Sequence, residues 1–293
     1  MRCLFLLPVL IFWGCWHSSG NEPGTKSILR PVRNTSSPPE AGMDSSARIL
    51  QTRFPVPPGY HRMPADTQRF AVYLRNLPLK PAGTKVRYYN GGLKKAEGIY
   101  TAVIDFDLGT KDLQQCADAV IRLRAEYLYG IGQSGKIHFH LTNGFDASWP
   151  EWIKGNRVSI HNNTATWIQS ANPSHTRADF REYLDLVFTY AGTLSLSKEL
   201  VPVNIADLRS GDVFIHGGSP GHAVIVLDAA EKESSGEKIF LLAQSYMPAQ
   251  DIQVLINPAD PGLSPWYSVP PEGILETPQW TFNVKELKRF PED

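Results

Sequence analysis

The sequence predicts an α+β fold. A single strong helix-forming run, Leu113–Tyr129, is followed later by three closely spaced strand-like runs at Asp212–Ile215, His222–Asp228 and Lys238–Ser245. Residues 49–293 are long enough for one such domain, with room for an insertion at about 145–205. Lys and Arg number 29 and Asp and Glu 29, so the net charge is zero. No basic stripe is present, which argues against nucleic acid as a partner.

Residues 1–20 read as an export signal. Arg2 supplies a positive start, and Cys3–Trp13 is apolar but short for a membrane span. The run ends at Gly14-Cys15, a small residue before a cysteine, which resembles a bacterial lipobox. Cys15 is therefore the expected lipidation site, in a membrane-anchored lipoprotein of the cell envelope, periplasmic or surface. Plain secretion is the simpler alternative. Residues 21–48 are rich in Ser, Pro and Gly and poor in large apolar groups, so they predict a flexible tether.

Along the body, Phe70–Leu77 predicts a short helix stopped by Pro78 and Pro81. Lys85–Tyr89 reads as a strand ending in the turn Asn90-Gly91-Gly92, and Thr101–Leu108 as an alternating strand. Lys136–Leu141 alternates as well, and Phe180–Tyr190 is amphipathic. Trp149, Trp152, Trp167, Trp266 and Trp280 fall in loop-like segments, where they would line a groove or pack over a core edge.

Cys116 is the one cysteine left in the body, and exported proteins normally pair their cysteines. Asp112 fits an N-cap with Gln115 three residues on, which places Cys116 in the first helical turn; Thr110 as the cap would set it one turn deeper. Helix N-termini favour a thiolate. The plain alternative is a small hydrophobe in the stripe Leu113, Cys116, Ala117, Val120, Leu128.

His222 opens the second strand run, beside Gly221. A hairpin centred near Glu233 would set Asp228 opposite Lys238 and His222 opposite Gln244, on one face of the sheet. A carboxamide there would orient the imidazole as the third member of a nucleophile–base–orienter set. A one-residue slip would substitute Ser245.

Cys116, Gly211-Asp212-Val213, Gly221-His222-Ala223-Val224 and Gln244, in that order, resemble the papain-like cysteine amidases of bacterial cell walls, the NlpC and CHAP types. The resemblance implies a papain-like core whose catalytic helix packs by its N-terminus on an antiparallel sheet, with a helical insertion. It implies Cys116 as nucleophile, His222 as general base and acid, and Gln244 as orienter. The expected substrate is an amide bond, as in peptidoglycan peptides, and no cofactor is expected. Gln115 and Gln114 are expected to help hold the oxyanion, and Asp105 and Asp107 to recognise a substrate amine. Over most of the body the chain is also similar to an uncharacterised bacterial family, domain of unknown function 4846, most clearly at Asp112–Tyr127, Gly217–Val226 and Leu242–Gln250. Two rival readings stand beside the enzyme. One is a non-catalytic envelope lipoprotein that binds a peptide or glycan. The other is a metal site at His138 and His140, which share a strand face; a lone His-x-His pair is weak, and no metal is expected.

Overall fold

A computed structural model describes residues 42–65 and 69–291. The leader, Cys15 and the tether up to residue 41 lie outside these. Residues 42–48, assigned by composition to the tether, are held to the body: the Asp44 amide bonds the Arg53 carbonyl, and the Arg48 Nε bonds the Leu79 carbonyl at 2.6 Å.

The described chain begins with α1 (Leu50–Arg53), β1 (Tyr60–Arg62), α2 (Arg69–Arg75), β2 (Tyr100–Val103) and α3 (Cys116–Gly130). Next come β3 (His138–His140), β4 (Asp146–Ser148), α4 (Trp149–Ile153), the hairpin β5 (Asn156–His161) and β6 (Thr164–Gln169), α5 (Arg177–Tyr190), α6 (Thr193–Glu199) and β7 (Val201–Pro202). The chain closes with β8 (Val213–His216), β9 (His222–Lys232), β10 (Lys238–Gln244), β11 (Gln253–Leu255), β12 (Tyr267–Ser268), β13 (Ile274–Glu276), β14 (Thr281–Asn283) and β15 (Leu287–Arg289).

The strands predicted near the C-terminal end form the middle of one antiparallel sheet, ordered β2-β11-β10-β9-β8-β15-β7, with β1 added to β9 and β12 to β10. The α+β expectation therefore stands. Lys85–Tyr89 makes only isolated bridges at Arg87 and Tyr88 instead of a strand. The 145–205 region is not purely helical, because the β5–β6 hairpin sits between its helices. It is also part of the main core, through Trp149, Phe180, Tyr183 and Leu196. Trp149, Trp152 and Trp266 are buried, so packing and not a groove accounts for them.

The sheet is apolar on both faces, which is why β8, β9 and β10 read as nearly unbroken hydrophobic runs. One face carries Ala223, Ile225, Leu241 and Ala243 against Ala117, Val120 and Ile121 of α3. The other carries Phe214, Val224, Val226, Phe240 and Leu242 against Tyr267, Leu275 and Phe282. Helix α3 is buried almost all round. Its Arg124 lies over the rings of Phe70, Tyr127 and Phe290, and Arg122 over Phe106, so apolar stems and ring faces accommodate both guanidinium groups.

The β9–β10 register differs from the predicted one. Lys238 faces Glu231 and Leu241 faces Asp228; then a bulge intervenes, and Leu242 faces Val226 and Ala243 faces Ile225. Strand β9 runs on to Lys232 because β1 pairs with that extension, Arg62 with Ala230 and Tyr60 with Lys232. A short hairpin centred on Glu233 is thereby excluded. Asp228 does not face Lys238. It is fully buried beside the bulge, with Arg62 Nε at 2.7 Å and Arg75 Nε at 2.6 Å. Two cations from two other elements thus anchor β9 beside its extra residue, Leu227.

Candidate functional site

The bulge decides which face Gln244 occupies. Without it, the Leu241–Asp228 register would continue as Gln244 opposite Ile225, on the face away from His222. The extra residue restores parity, so even-numbered residues of both strand ends share a face. His222 and Gln244 are therefore neighbours on a diagonal, not directly opposed, and His222 Nε2 lies 2.8 Å from Gln244 Oε1. The predicted pairing of side chains is present, reached by a different register.

Helix α3 starts three residues later than the sequence suggests. Gln115 is the N-cap, and its amide bonds Asp118 Oδ2 at 2.9 Å. Asp112 is drawn off instead, accepting the Ala249 amide at 2.6 Å. Cys116 becomes the first helical residue, nearest the free amides and the positive end of the helix dipole. The segment before it is fastened to the end of β10, since the Ser245 hydroxyl bonds the carbonyls of Gln114 (2.9 Å) and Gln250 (2.7 Å). Ser245 is thus a tie to the helix entry and not the orienter.

Ladder geometry then locates the sulfur. The Val226 amide bonds the Asp212 carbonyl on the β8 side, so amides of odd-numbered residues in this part of β9 point towards β10. The β9–β10 ladder ends at Ala243–Ile225, which leaves the Ala223 amide without a strand partner on that side. The Cys116 thiol takes its place. The amides of Ala117, Ala223 and Cys116 itself favour the thiolate. The sulfur therefore meets β9 at the residue next to His222, where the two strands part.

Gly221, just before His222, leaves no space for a side chain. A Cβ there would lie 2.3 Å from Thr193 Oγ1 and 2.6 and 2.8 Å from the Gly218 and His216 carbonyl oxygens. Gly211-Asp212 serves the scaffold: Asp212 is buried and takes two bonds from Arg289, at 2.6 and 2.9 Å.

Both side chains are deep. Cys116 is 9% exposed and His222 1%. Burial pushes the Cys116 thiol up to about 11, with the Asp118 carboxylate adding to it and the three amides opposing. Burial pushes the His222 imidazole down to about 4; the Gln244 bond opposes this and the Lys94 charge adds to it. Near neutral pH both groups are therefore uncharged. Tyr246, Trp280 and Phe282 pack around the imidazole, with ring centroids 5.0, 5.4 and 5.9 Å away. Tyr246 and Trp280 are half-buried.

The other predicted residues are placed elsewhere. Gln114 is buried, and its side-chain oxygen accepts from Arg122, which turns it from the sulfur. Gln115 is occupied as the cap and reaches Asp112 at 3.3 Å. The exposed carboxylates of Asp105 and Asp107 engage Arg48 (3.8 Å) and the Gly109 amide (3.0 Å). No hydrogen bond or ion pair among the described residues joins either aspartate to Cys116, His222 or Gln244.

Asp118 stands by Cys116 and Lys94, Gln279 and Tyr246 stand around His222 and Gln244, and none of them is marked in the sequence as a site residue; Trp280, one of the five tryptophans assigned to a groove or a core edge, packs on the imidazole. Lys94-Lys95 reads as surface charge, and only the spacing of Gln244, Gln250 and Gln253 hinted at a carboxamide cluster. His138 and His140 do share a face, and with Glu199 they form a group whose ligand atoms lie within 4.8 Å of one another. Each is already engaged, His138 with Asp146 at 3.2 Å and His140 with Glu199 at 3.3 Å, and both imidazoles are about two-fifths exposed. Ordinary surface pairing accounts for them.

The three stretches that carried the whole-chain resemblance, around Cys116, His222 and Gln244, are those that converge here. No curated protein and no solved structure matches the chain. Residues 50–289 do match a family, and the chain belongs to the one described as domain of unknown function (4846).

Proposed function

We propose that the protein is a cysteine amidase or peptidase of the bacterial cell envelope, with a papain-like site made of Cys116, His222 and Gln244. The observation that carries this reading is the helix-leading sulfur at the Ala223 amide, one residue along β9 from an imidazole held through Nε2 by a carboxamide. Nε2 donates to Gln244 Oε1, so Nδ1 keeps its lone pair and is the general base.

In the attack step the thiol proton passes to Nδ1 as Sγ bonds to the amide carbon. The Cys116 backbone amide, at the first position of α3, stabilises the oxyanion. The C–N bond then breaks, and the imidazolium returns the proton to the leaving amine. Water, deprotonated by His222, hydrolyses the thioester and restores the thiol. Proton transfer belongs to the attack and not to the resting state, in keeping with two neutral buried groups. The envelope location rests on the lipobox-like leader, and the peptidoglycan-peptide substrate on that location and the amidase resemblance.

A second reading is favoured by the depth of the sulfur: a non-catalytic envelope domain that binds a peptide or glycan. One experiment separates the two. The mature protein is incubated with a pool of peptidoglycan peptides, and new amines are followed by mass spectrometry. The enzyme reading expects cleavage that falls by about 10³-fold or more in Cys116→Ala. Cleavage at the native rate in that variant would remove Cys116 as the nucleophile, and no cleavage by the unaltered protein would favour the binding domain.

A further inference from the structure

Lys94 is 5% exposed, yet its partners are three neutral carboxamide oxygens: Gln250 and Gln279 at 2.9 Å and Gln253 at 3.5 Å. Burying an ammonium among neutral groups costs stability, and burial alone brings its pKa down to about 8. Nothing in the amidase scheme above uses this cation. Its second link does reach the site: Gln279 Oε1 also accepts from Gln244 Nε2 at 2.7 Å, and Gln244 Oε1 faces His222 Nε2 at 2.8 Å.

The direction of every bond in this chain follows from one fact. An ammonium has donors and no acceptor. Gln279 must therefore turn its oxygen to Lys94, and the same oxygen has a second lone pair for Gln244. Gln244 must answer with its NH₂ group, which leaves its own oxygen for the imidazole. An oxygen can only accept, so Nε2 of His222 must carry the hydrogen. The lone pair is forced onto Nδ1. Turning Gln279 round would set its NH₂ against the ammonium, and turning Gln244 round would set its oxygen against that of Gln279.

We propose that Lys94 is a positioning residue that fixes the tautomer of His222 through a two-carboxamide relay, Lys94–Gln279–Gln244. The inference deepens the amidase reading by explaining why Nδ1 is the base, but the relay itself acts whether or not Cys116 is a nucleophile. A plain structural lysine would stabilise the fold without choosing a tautomer.

The test is ¹⁵N-resolved NMR of the His222 ring at pH 7 in the full body of the protein. The unaltered protein should show one form, protonated at Nε2. Lys94→Met should add a second population protonated at Nδ1, and Lys94→Arg, which again only donates, should remove it. Should Lys94→Met fail to fold, Gln279→Leu cuts the same chain and leaves the cation in place, with the same mixed outcome expected. A single Nε2-protonated form in both Lys94→Met and Gln279→Leu would overturn the proposal, as would an Nδ1-protonated ring in the unaltered protein. Peptide cleavage is a separate readout: a tautomer shift in a protein that cleaves nothing keeps the relay and removes only the amidase reading.

Discussion

Alkylation of Cys116 by iodoacetamide is expected to be slow at pH 7 and to quicken about tenfold per pH unit towards pH 10. The sign follows from the environment. Burial and the Asp118 carboxylate raise the thiol pKa to about 11, which outweighs the amides that favour the thiolate. At pH 7 the thiolate is then on the order of one part in 10⁴, about a hundred times scarcer than for a thiol at the ordinary value near 9. A pre-formed thiolate–imidazolium pair would instead give a fast rate that is flat from about pH 5 to 8. The measurement is the second-order rate of single-site modification, followed by intact mass across that range. A flat, fast profile would contradict the neutral resting pair.

The second large effect is on stability. His222 has an ordinary pKa of 6.5 and about 4 when folded. Between those values the unfolded chain binds a proton that the folded protein refuses, so acid favours unfolding there. The folded protein holds this stability in full above pH 6.5 and loses it as pH falls towards 4. A shift of that size corresponds to about 3 kcal/mol, most of it gone by pH 4.5. Urea unfolding at pH 7 and pH 4.5, compared between the unaltered protein and His222→Gln, isolates this contribution from that of the carboxylates. The variant should lose about 2 kcal/mol less than the unaltered protein over the same interval. An equal loss in both would mean that the buried imidazole is not the group being forced to charge.

Much of the architecture was readable from the sequence because it is locally encoded. The body of α3 is a continuous helix-forming run, and the C-terminal strands are apolar runs bounded by glycine turns. The helix start was misplaced because Asp112 has the right chemistry for a cap but is claimed by Ala249, 137 residues away. The strand register was misplaced for a related reason. Its bulge is held by Arg62 and Arg75, and its extension by β1, and neither partner is visible from residues 222–245. His222 and Gln244 still came together because the bulge restores the parity that the longer register would have broken. Lys94 and Gln279 were illegible, since a lysine beside a second lysine and a glutamine after a proline carry no local mark of burial.

The functional account depends on the Cys116 sulfur and the His222 ring standing within reach of one small reagent. Treating the native protein with 1,3-dibromoacetone tests this most directly, because its two ends are displaced in turn by a thiolate and an imidazole nitrogen about three carbons away. The account predicts one internal bridge, with the peptide carrying Cys116 joined to the peptide carrying His222 after digestion, and no bridge in His222→Gln. A Cys116 that takes the reagent but bridges to another residue, or to none, would contradict it.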